Sequence, residues 1–237
     1  MGPIFIALDF GTIQEVEDFL DLFEPAEPLA VKVGMEFYYA AGPQIIKRLR
    51  QRGLTIFLDL KLYDIPHTVE QAAYQLACQQ IDYLTIHAAG GSQMIQSAKR
   101  GLINGSHTVH SPIPQLLAIT KLTSLSQTQM QTEQQINASL PAAVTHLAQL
   151  ARDNGADGVI CSAQENQQIH QATAANFLCI NPGIRLQKDS QDDQQRIATP
   201  RAAKAWGSNG LVIGRPITQA ADPVATYHQI LQQWRQN

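Results

Sequence analysis

The chain has 237 residues, a formal net charge of −3 and a hydrophobic content of 44%. This length permits one large domain or two small ones, and an α/β barrel commonly needs about 250 residues. The slightly negative charge gives no reason to expect nucleic acid or an anionic membrane as a partner. No apolar run reaches transmembrane length, and the first residues lack the basic segment of an export signal. We therefore expect a cytoplasmic protein, and three cysteines without CxxC spacing fit its reducing environment.

Short apolar, β-rich runs alternate with amphipathic stretches of helical length along the chain. Strands that alternate with helices indicate an α/β protein with a parallel sheet. Eight such units favour closure into a (β/α)8 TIM barrel, and we expect one domain over residues 1–237. The predicted helices include Glu15–Phe23, Gly42–Gln51, Val69–Gln80 and Pro141–Asn154. The predicted strands are Ile4–Leu8, Leu29–Val33, Leu54–Leu60, Tyr83–His87, Gln115–Thr120, Gly158–Cys161, Phe177–Ile180 and Leu211–Ile213.

Two segments are polar throughout, and each follows a predicted strand. Ser124–Gln135 follows the fifth strand, and the sequence leaves open whether it is glutamine-rich padding or a loop of the site. Gln187–Gln195 follows the seventh strand, and we expect it to be a mobile lid from which Gln194 reaches a bound phosphate. Both segments belong to the side of a barrel where site loops collect.

A cluster of charges stands at the end of the predicted third strand, in the run Phe57–Thr68 (FLDLKLYDIPHT). Side chains alternate across a strand, so Asp59 and Lys61 share one face, and Asp64 follows three residues later. Pro66 then stops the extended run and can open a helix in its first turn. A surface ion pair is the simplest alternative, but this spacing at the end of a buried strand favours catalysis.

The neighbouring strands add charges at the same predicted edge. Asp9 ends the first strand, and Lys32 lies within the second. Ionisable groups on adjacent buried strands carry a heavy desolvation cost unless they form a network. We therefore predict an array of alternating sign, Lys32–Asp59–Lys61–Asp64. Flanking carboxylates favour a protonated lysine, which is a general acid and not a nucleophile.

The histidines give no sign of a metal site. His87 ends the fourth strand, where we expect it only to support the site by hydrogen bonding. The sequence has no HxH or HxxxH pattern and no pairing of histidine and carboxylate with metal-ligand spacing. We therefore expect no metal.

The last two strands lead into a predicted phosphate site. Strand seven is followed by Asn-Pro-Gly-Ile-Arg185, and strand eight by Gly214-Arg215-Pro216. In this fold, phosphate commonly binds to these two loops and to a helix amino terminus. Gly214 permits close backbone approach, Arg215 can hold a phosphate with two hydrogen bonds, and Pro216 presets a helical turn. A turn with a surface arginine is the alternative for Gly-Arg-Pro alone.

These motifs together resemble the orotidine 5'-phosphate decarboxylase family, in its short bacterial form. The similarity covers nearly the whole chain, and its most specific part is Asp-x-Lys-x-x-Asp-Ile-Pro-x-Thr. Lys121, where a less charged residue is expected, and Asn181, before Pro-Gly-Ile-Arg, depart from the family pattern. The similar segments are Ala-Leu-Asp9-Phe, Val-Lys32-Val-Gly, the run from Leu58 to Val69, His87-Ala-Ala-Gly-Gly, Leu-Thr123-Ser, Cys-Ser-Ala-Gln-Glu165, Pro-Gly-Ile-Arg185, Asp-Asp-Gln194 and Ile-Gly214-Arg215-Pro.

The resemblance implies decarboxylation of orotidine 5'-phosphate to UMP in pyrimidine biosynthesis, without a cofactor. It implies that Lys61 stabilises and then protonates the carbanion at C6, while Asp59 lies near the departing carboxylate. It also implies a homodimer with shared sites, in which Asp64 and Thr68 enter the neighbouring subunit's site. The residues given a catalytic role in this way are Lys61, Asp59, Asp64 and Lys32.

The same resemblance assigns the substrate contacts. Asp9 and Lys32 bind the ribose, and Thr123 binds the pyrimidine. The phosphate region falls to Arg185, Gln194, Gly214 and Arg215. The full substrate-binding set is Asp9, Lys32, Asp59, Lys61, Asp64, Ile65, Thr68, Thr123, Arg185, Gln194, Gly214 and Arg215.

Three alternatives are weighed against this function. Magnesium-dependent sugar-phosphate decarboxylases and synthases share Asp-x-Lys-x-x-Asp, but the Ile-Pro-His-Thr68 extension and Asp-Asp-Gln194 favour the pyrimidine enzyme. A Schiff-base aldolase would need an unprotonated Lys61, which the neighbouring carboxylates oppose. A catalytically inactive barrel that only binds a phosphorylated ligand is disfavoured by the intact charges.

Overall fold

The computed structural model describes residues 2–186 and 196–235. Within these residues eight parallel strands pair in sequence order, and the last pairs with the first to close a barrel. The predicted (β/α)8 fold is therefore confirmed. The strands are β1 (Ile4–Ala7), β2 (Ala30–Gly34), β3 (Thr55–Leu62), β4 (Tyr83–His87), β5 (Gln115–Ile119), β6 (Gly158–Ile160), β7 (Leu178–Asn181) and β8 (Gly210–Ile213).

Helices surround the barrel and connect its strands. Short 3-10 turns follow β4 at Ala88–Gly90 and β6 at Ala163–Glu165. Among the helices of the described residues, none combines the length and the apolar composition that are needed to cross a bilayer. The α-helices described are α1 (Ile13–Leu20), α2 (Met35–Ala41), α3 (Gln44–Gln51), α4 (Pro66–Ala77), α5 (Gly91–Thr108), α6 (Gln127–Glu133), α7 (Leu140–Asp153), α8 (Asn166–Ala172), α9 (Pro200–Ala205), α10 (Arg215–Thr218) and α11 (Pro223–Arg235).

Aromatic side chains fill the inside of the barrel below the site. Phe5 of β1 meets Phe57 of β3 edge-to-face at a ring-centroid distance of 5.1 Å, and Tyr83 of β4 at 5.0 Å. Phe5 and Phe57 are fully buried, and burial of such a ring stabilises the fold by about 1.5–3 kcal/mol. Because alternate residues of a strand face the same side, Asp59 faces the same interior as Phe57. The charges thus lie above an apolar floor.

The strand predictions are correct, with boundaries that differ by one or two residues. The largest difference is at β3, which continues past the predicted end at Leu60 to Leu62. Helix α4 begins at Pro66 and not at Val69, as expected for a proline in the first helical turn. Helix α7 lies one residue before its predicted span, and Gly155 follows it with a φ of 94°.

The helix boundaries differ more from the predictions than the strand boundaries do, because side-chain hydrogen bonds at the helix ends shift where the helices begin. Helix α1 begins at Ile13, two residues before the predicted start, since Thr12 and Glu15 form a reciprocal capping box. It also ends at Leu20 and not at Phe23.

Two helices were missed. The predicted helix Gly42–Gln51 is wrong at its start: Gly42 has a φ of 70° and separates α2 from α3. The polar segment Ser124–Gln135 contains α6, which is capped by Ser126 in a capping box with Gln129.

Candidate active site

Three strands place alternating charges at their carboxyl ends. Lys32 Nζ lies 3.3 Å from Asp9 Oδ1 and 3.8 Å from Asp59 Oδ2. Lys61 Nζ donates a hydrogen bond to the same Asp59 oxygen at 2.9 Å. The side chains of Lys32 and Asp59 are only 9% and 14% exposed, so each charge depends on its neighbours for compensation. The observed array is Asp9–Lys32–Asp59–Lys61.

The third strand is not a regular strand where it carries these charges. Leu58 pairs with Leu84 of β4 and Leu62 pairs with Ile86, so three residues of β3 lie opposite the single residue Thr85. Lys61 lies in this bulge with a φ of 53°, a left-handed conformation that costs a non-glycine residue roughly 1–2 kcal/mol. Bulges are known to redirect side chains beside active sites. The simple alternation from which Asp59 and Lys61 were placed together is therefore interrupted, although the two side chains do meet.

Gly34, the last residue of β2, leaves room for the contact between Lys32 and Asp9. A Cβ at this position would lie 3.0 Å from Lys32 Nζ and 3.3 Å from Asp9 Oδ1. Both distances are shorter than ordinary carbon contacts. A side chain at this position would therefore require Lys32 Nζ and the Asp9 carboxylate to shift by a few tenths of an ångström.

These charges form one wall of a cavity of about 310 Å³ at the carboxyl end of the barrel. Its floor includes Phe57, Ile160 and Val212. The opposite wall combines polar groups from the loops after β5, β7 and β8. The predicted substrate-binding residues that line this cavity are Asp9, Lys32, Asp59, Lys61, Thr123, Arg185, Gly214 and Arg215.

The remaining predicted residues are not brought into the cavity of this chain. Asp64, Ile65 and Thr68 are exposed beyond the end of β3, and the Asp64 carboxylate accepts a hydrogen bond from the Ile65 amide at 2.6 Å. The predicted link from Lys61 to Asp64 is therefore not found within the described chain. Gln194 and the predicted lid Gln187–Gln195 lie outside the described residues.

His87 and Lys121 flank the array from β4 and from the loop after β5. Burial, followed by the nearby Lys61 ammonium, lowers the pKa of His87. The Lys121 side chain lines the cavity and donates to Gln134 Oε1 at 2.5 Å, and burial lowers its pKa. Lys121, noted as a departure from the family pattern, is thus a buried cation at the cavity in addition to Lys32 and Arg185, and it joins the cavity to the end of α6.

A buried ion pair ties two other loops together. Arg196 binds Glu165 of the 3-10 turn after β6 and donates to the Leu122 carbonyl oxygen at 3.0 Å. Glu165 also accepts from the Ser162 amide. Burial raises the pKa of Glu165, although the Arg196 charge opposes this shift. The contact at Leu122 fixes the backbone next to Thr123.

Asn181, the second departure, has a structural place behind the cavity. It is fully buried, donates to the Cys161 carbonyl oxygen at 2.9 Å and pairs with Asn166 at 3.0 Å. Its amide therefore links β6, β7 and α8, and it does not line the cavity.

Comparison with known proteins agrees with this geometry. Residues 2–230 match the family model described as "Orotidine 5'-phosphate decarboxylase / HUMPS family". The chain belongs to this family.

Relatives within the decarboxylase/HUMPS family match almost end to end. The orotidine 5'-phosphate decarboxylase of Lactiplantibacillus plantarum is 53% identical over 232 residues, which are 98% of each chain. The enzyme of that name from Listeria monocytogenes is 49% identical over 99% of each chain. The crystal structure of orotidine 5'-phosphate decarboxylase from Lactobacillus acidophilus is 42% identical, covers 100% of both chains and has a TM-score of 0.88.

The family description names HUMPS beside orotidine 5'-phosphate decarboxylase. Because the sugar-phosphate alternative depends on magnesium, side chains that could hold a metal ion bear on the choice between the two functions. Within residues 2–186 and 196–235, no three His, Cys, Asp or Glu side chains are grouped so that they could hold a metal ion. Lys32 stands between Asp9 and Asp59, and Lys61 binds Asp59 as well, so the carboxylates of the array are paired with ammonium groups. Independence from metal remains a prediction for experiment.

Two polar residues of the site were not among the residues predicted from the sequence: Thr85, which contacts the array, and Lys121, which lines the cavity. Thr85 donates to Asp59 Oδ1 at 2.9 Å and accepts from the Lys61 amide at 2.8 Å. It sits in an apolar strand and looks like an ordinary β-former, so only the strand register reveals it. Lys121 carried a signal, since a lysine directly after an apolar strand resembles the pattern that identified Lys61.

Proposed function

We propose that this chain decarboxylates orotidine 5'-phosphate to UMP without a cofactor and that Lys61 is the proton donor. The observation that carries the proposal is the array Asp9–Lys32–Asp59–Lys61 in a cavity whose far wall holds Arg185 and Arg215. The names of relatives at 53% and 49% identity support the pyrimidine substrate over a sugar phosphate.

The reaction requires a positive charge close to C6 of the pyrimidine ring, where a carbanion forms. The bond from C6 to the carboxylate breaks, CO₂ leaves, and the electron pair stays on C6. The Lys61 ammonium stabilises this carbanion and then transfers a proton to it, after which solvent reprotonates the lysine. The contact of Lys61 Nζ with Asp59 at 2.9 Å holds the ammonium in place.

The other groups bind parts of the substrate that do not react. In this proposal Asp9 and Lys32 bind the ribose hydroxyls and Thr123 binds the pyrimidine edge, and all three residues line the cavity. Arg215 lies at the first residue of α10, where backbone amides and the helix dipole also favour a phosphate. Binding energy from this distant phosphate then holds the ring against Lys61.

A direct assay tests the activity. Loss of orotidine 5'-phosphate is followed by ultraviolet absorbance, and UMP is identified chromatographically. We expect turnover of this nucleotide and none of the 3-keto-gulonate 6-phosphate used by sugar-phosphate decarboxylases. Turnover of the sugar phosphate instead would assign the chain to the magnesium-dependent alternative.

We further propose a cytoplasmic homodimer in which Asp64 completes the neighbouring site. Large apolar side chains are exposed on either side of Asp64: Tyr63 is 64% exposed and Ile65 is 66% exposed. Tyr39 of α2 is 72% exposed. Exposed apolar groups around a charged group fit an interface between copies of the chain.

Mixing two inactive variants tests the shared site. Lys61→Ala and Asp64→Ala homodimers should each be nearly inactive. In a mixed dimer, one site carries both defects and the other carries none. Random exchange makes half of the dimers mixed, so about a quarter of all sites should become wild type. If exchange is confirmed by mass but no activity appears, Asp64 acts within its own subunit.

A further inference from the structure

The fully buried Thr85 hydroxyl connects the two central groups of the site. We propose that Thr85 is a positioning residue that fixes the Asp59 carboxylate and the Lys61 backbone for proton transfer. The inference rests on the proposed function, because it concerns the same site and the same reaction.

The contacts form a closed ring of three hydrogen bonds. The Lys61 amide donates to Thr85 Oγ1 at 2.8 Å, and Thr85 Oγ1 donates to Asp59 Oδ1 at 2.9 Å. The ring closes through Lys61 Nζ, which donates to Asp59 Oδ2 at 2.9 Å. Each carboxylate oxygen of Asp59 is therefore held by a different donor, and rotation of the carboxylate would break two bonds. Lys61 is held at both its backbone and its ammonium.

The bulge explains why a side chain is needed at this place. Between the paired residues Leu58 and Leu62, Thr85 is the one residue of β4 that faces the bulge. The Lys61 amide donates to the Thr85 hydroxyl instead of to a carbonyl of the neighbouring strand. A backbone in the left-handed region persists only when its surroundings hold it there. The hydroxyl of Thr85, a fully buried residue, provides part of that support.

This geometry predicts an effect on turnover more than on binding. A general acid must lie within hydrogen-bond reach of the atom that it protonates. Thr85 does not line the cavity, so it makes no contact with substrate. Its loss should therefore leave nucleotide binding nearly intact and misplace the ammonium.

Three variants test the proposal. Thr85→Val keeps the shape of the side chain and removes the hydroxyl, and Thr85→Ser keeps the hydroxyl. Thr120→Val is the matched control, because Thr120 is also buried after the neighbouring strand but its hydroxyl bonds only the Ile160 carbonyl in the described residues. Loss of a hydrogen bond to a charged group should lower kcat of Thr85→Val by roughly 10- to 100-fold. We expect KM to change by less than about threefold, and Thr85→Ser and the control to stay within about threefold of wild type.

A second measurement does not depend on turnover. Hydrogen exchange of the Lys61 amide should be slow in the wild type and faster in Thr85→Val. In the control variant Thr120→Val, the Lys61 amide should exchange as slowly as in the wild type. If Thr85→Val does not fold, the wild-type exchange rate and the kinetics of Thr85→Ser still decide. A rapidly exchanging wild-type amide, a Thr85→Val enzyme with unchanged kcat, or a loss confined to KM would each overturn the proposal. A wild-type protein without decarboxylase activity would instead contradict the proposed function, and the amide measurement would still report on the Thr85 contact.

Discussion

Replacement of Lys61 by alanine is the most direct test of the proposed chemistry. The substitution removes the ammonium that lies 2.9 Å from Asp59 Oδ2 and leaves that carboxylate with Thr85 at 2.9 Å and Lys32 at 3.8 Å. Asp59 therefore keeps two partners after the change. We expect the variant to fold and to bind UMP with nearly the wild-type affinity.

The expected loss of turnover can be estimated from two effects. An ammonium about 4 Å from the carbanion stabilises it by roughly 4 kcal/mol at an effective dielectric constant of about 20, which is about a thousandfold in rate. Loss of a positioned general acid removes roughly 10²- to 10⁴-fold more. Together these effects predict that kcat of Lys61→Ala falls by about 10⁵-fold or more.

The measurement is the ultraviolet assay with orotidine 5'-phosphate, together with calorimetric titration of UMP. Lys47→Ala, at an exposed lysine of α3, is the matched control and should keep wild-type kinetics. If Lys61→Ala keeps more than a few per cent of wild-type kcat, another group protonates C6, and the array has been given the wrong role. Loss of UMP binding would show instead that Lys61 acts mainly in binding or in folding.

Three further predictions concern the phosphate end, metals and pH. Arg215→Ala should lower kcat/KM by a factor that corresponds to roughly 2–5 kcal/mol of lost transition-state stabilisation, as for other charge-assisted contacts. If the kinetics match those of an Arg235→Ala control, Arg215 is not part of the site. Dialysis against EDTA should leave kcat and KM unchanged, whereas activity that magnesium restores would favour the sugar-phosphate alternative. The pKa of His87 is lowered from its ordinary value of 6.5 in the folded state, so the unfolded state takes up a proton first as pH falls. The free energy of unfolding should therefore decrease as the pH is lowered from about 6.5. Urea denaturation should show a smaller decrease in His87→Gln than in wild type or in His146→Gln, a control at an exposed histidine.

The barrel could be predicted from the sequence because its main signals are local. Apolar strands such as Leu54–Leu60 and the helical period of Pro141–Asn154 need no knowledge of distant contacts. The charges at strand ends could be placed together for the same reason, since parallel strands end at one edge. The structure brings Asp9, Lys32 and Asp59 together at that edge, and their roles in the site stay predictions.

What the sequence did not reveal depends on the pairing between strands. The bulge at Lys61 follows from the register of β3 against β4, and no residue type within Leu58–Leu62 encodes it. The tight space at Gly34 arises from the side chains of Lys32 and Asp9, which different segments of the chain supply. The missed helix α2 has a different cause: its Phe-Tyr-Tyr segment has weak helix propensity, and Gly34 supplies no side-chain cap.

The balance of charges explains why a rigid barrel suits this reaction. The four groups of the array, two carboxylates and two ammonium groups, carry no formal net charge among themselves. Outside the array, the cavity is lined by Lys121 and, on the far wall, by Arg185 and Arg215, whose positive charges suit a phosphate dianion. In the proposed reaction, negative charge moves only from the carboxylate to C6 as the bond to CO₂ breaks, and it stays beside Lys61. The dipoles and charges of the site therefore need little reorganisation during the step, which is the condition under which preorganised electrostatics lowers a barrier most. Three adjacent strands and the bulge at Lys61 supply that fixed arrangement.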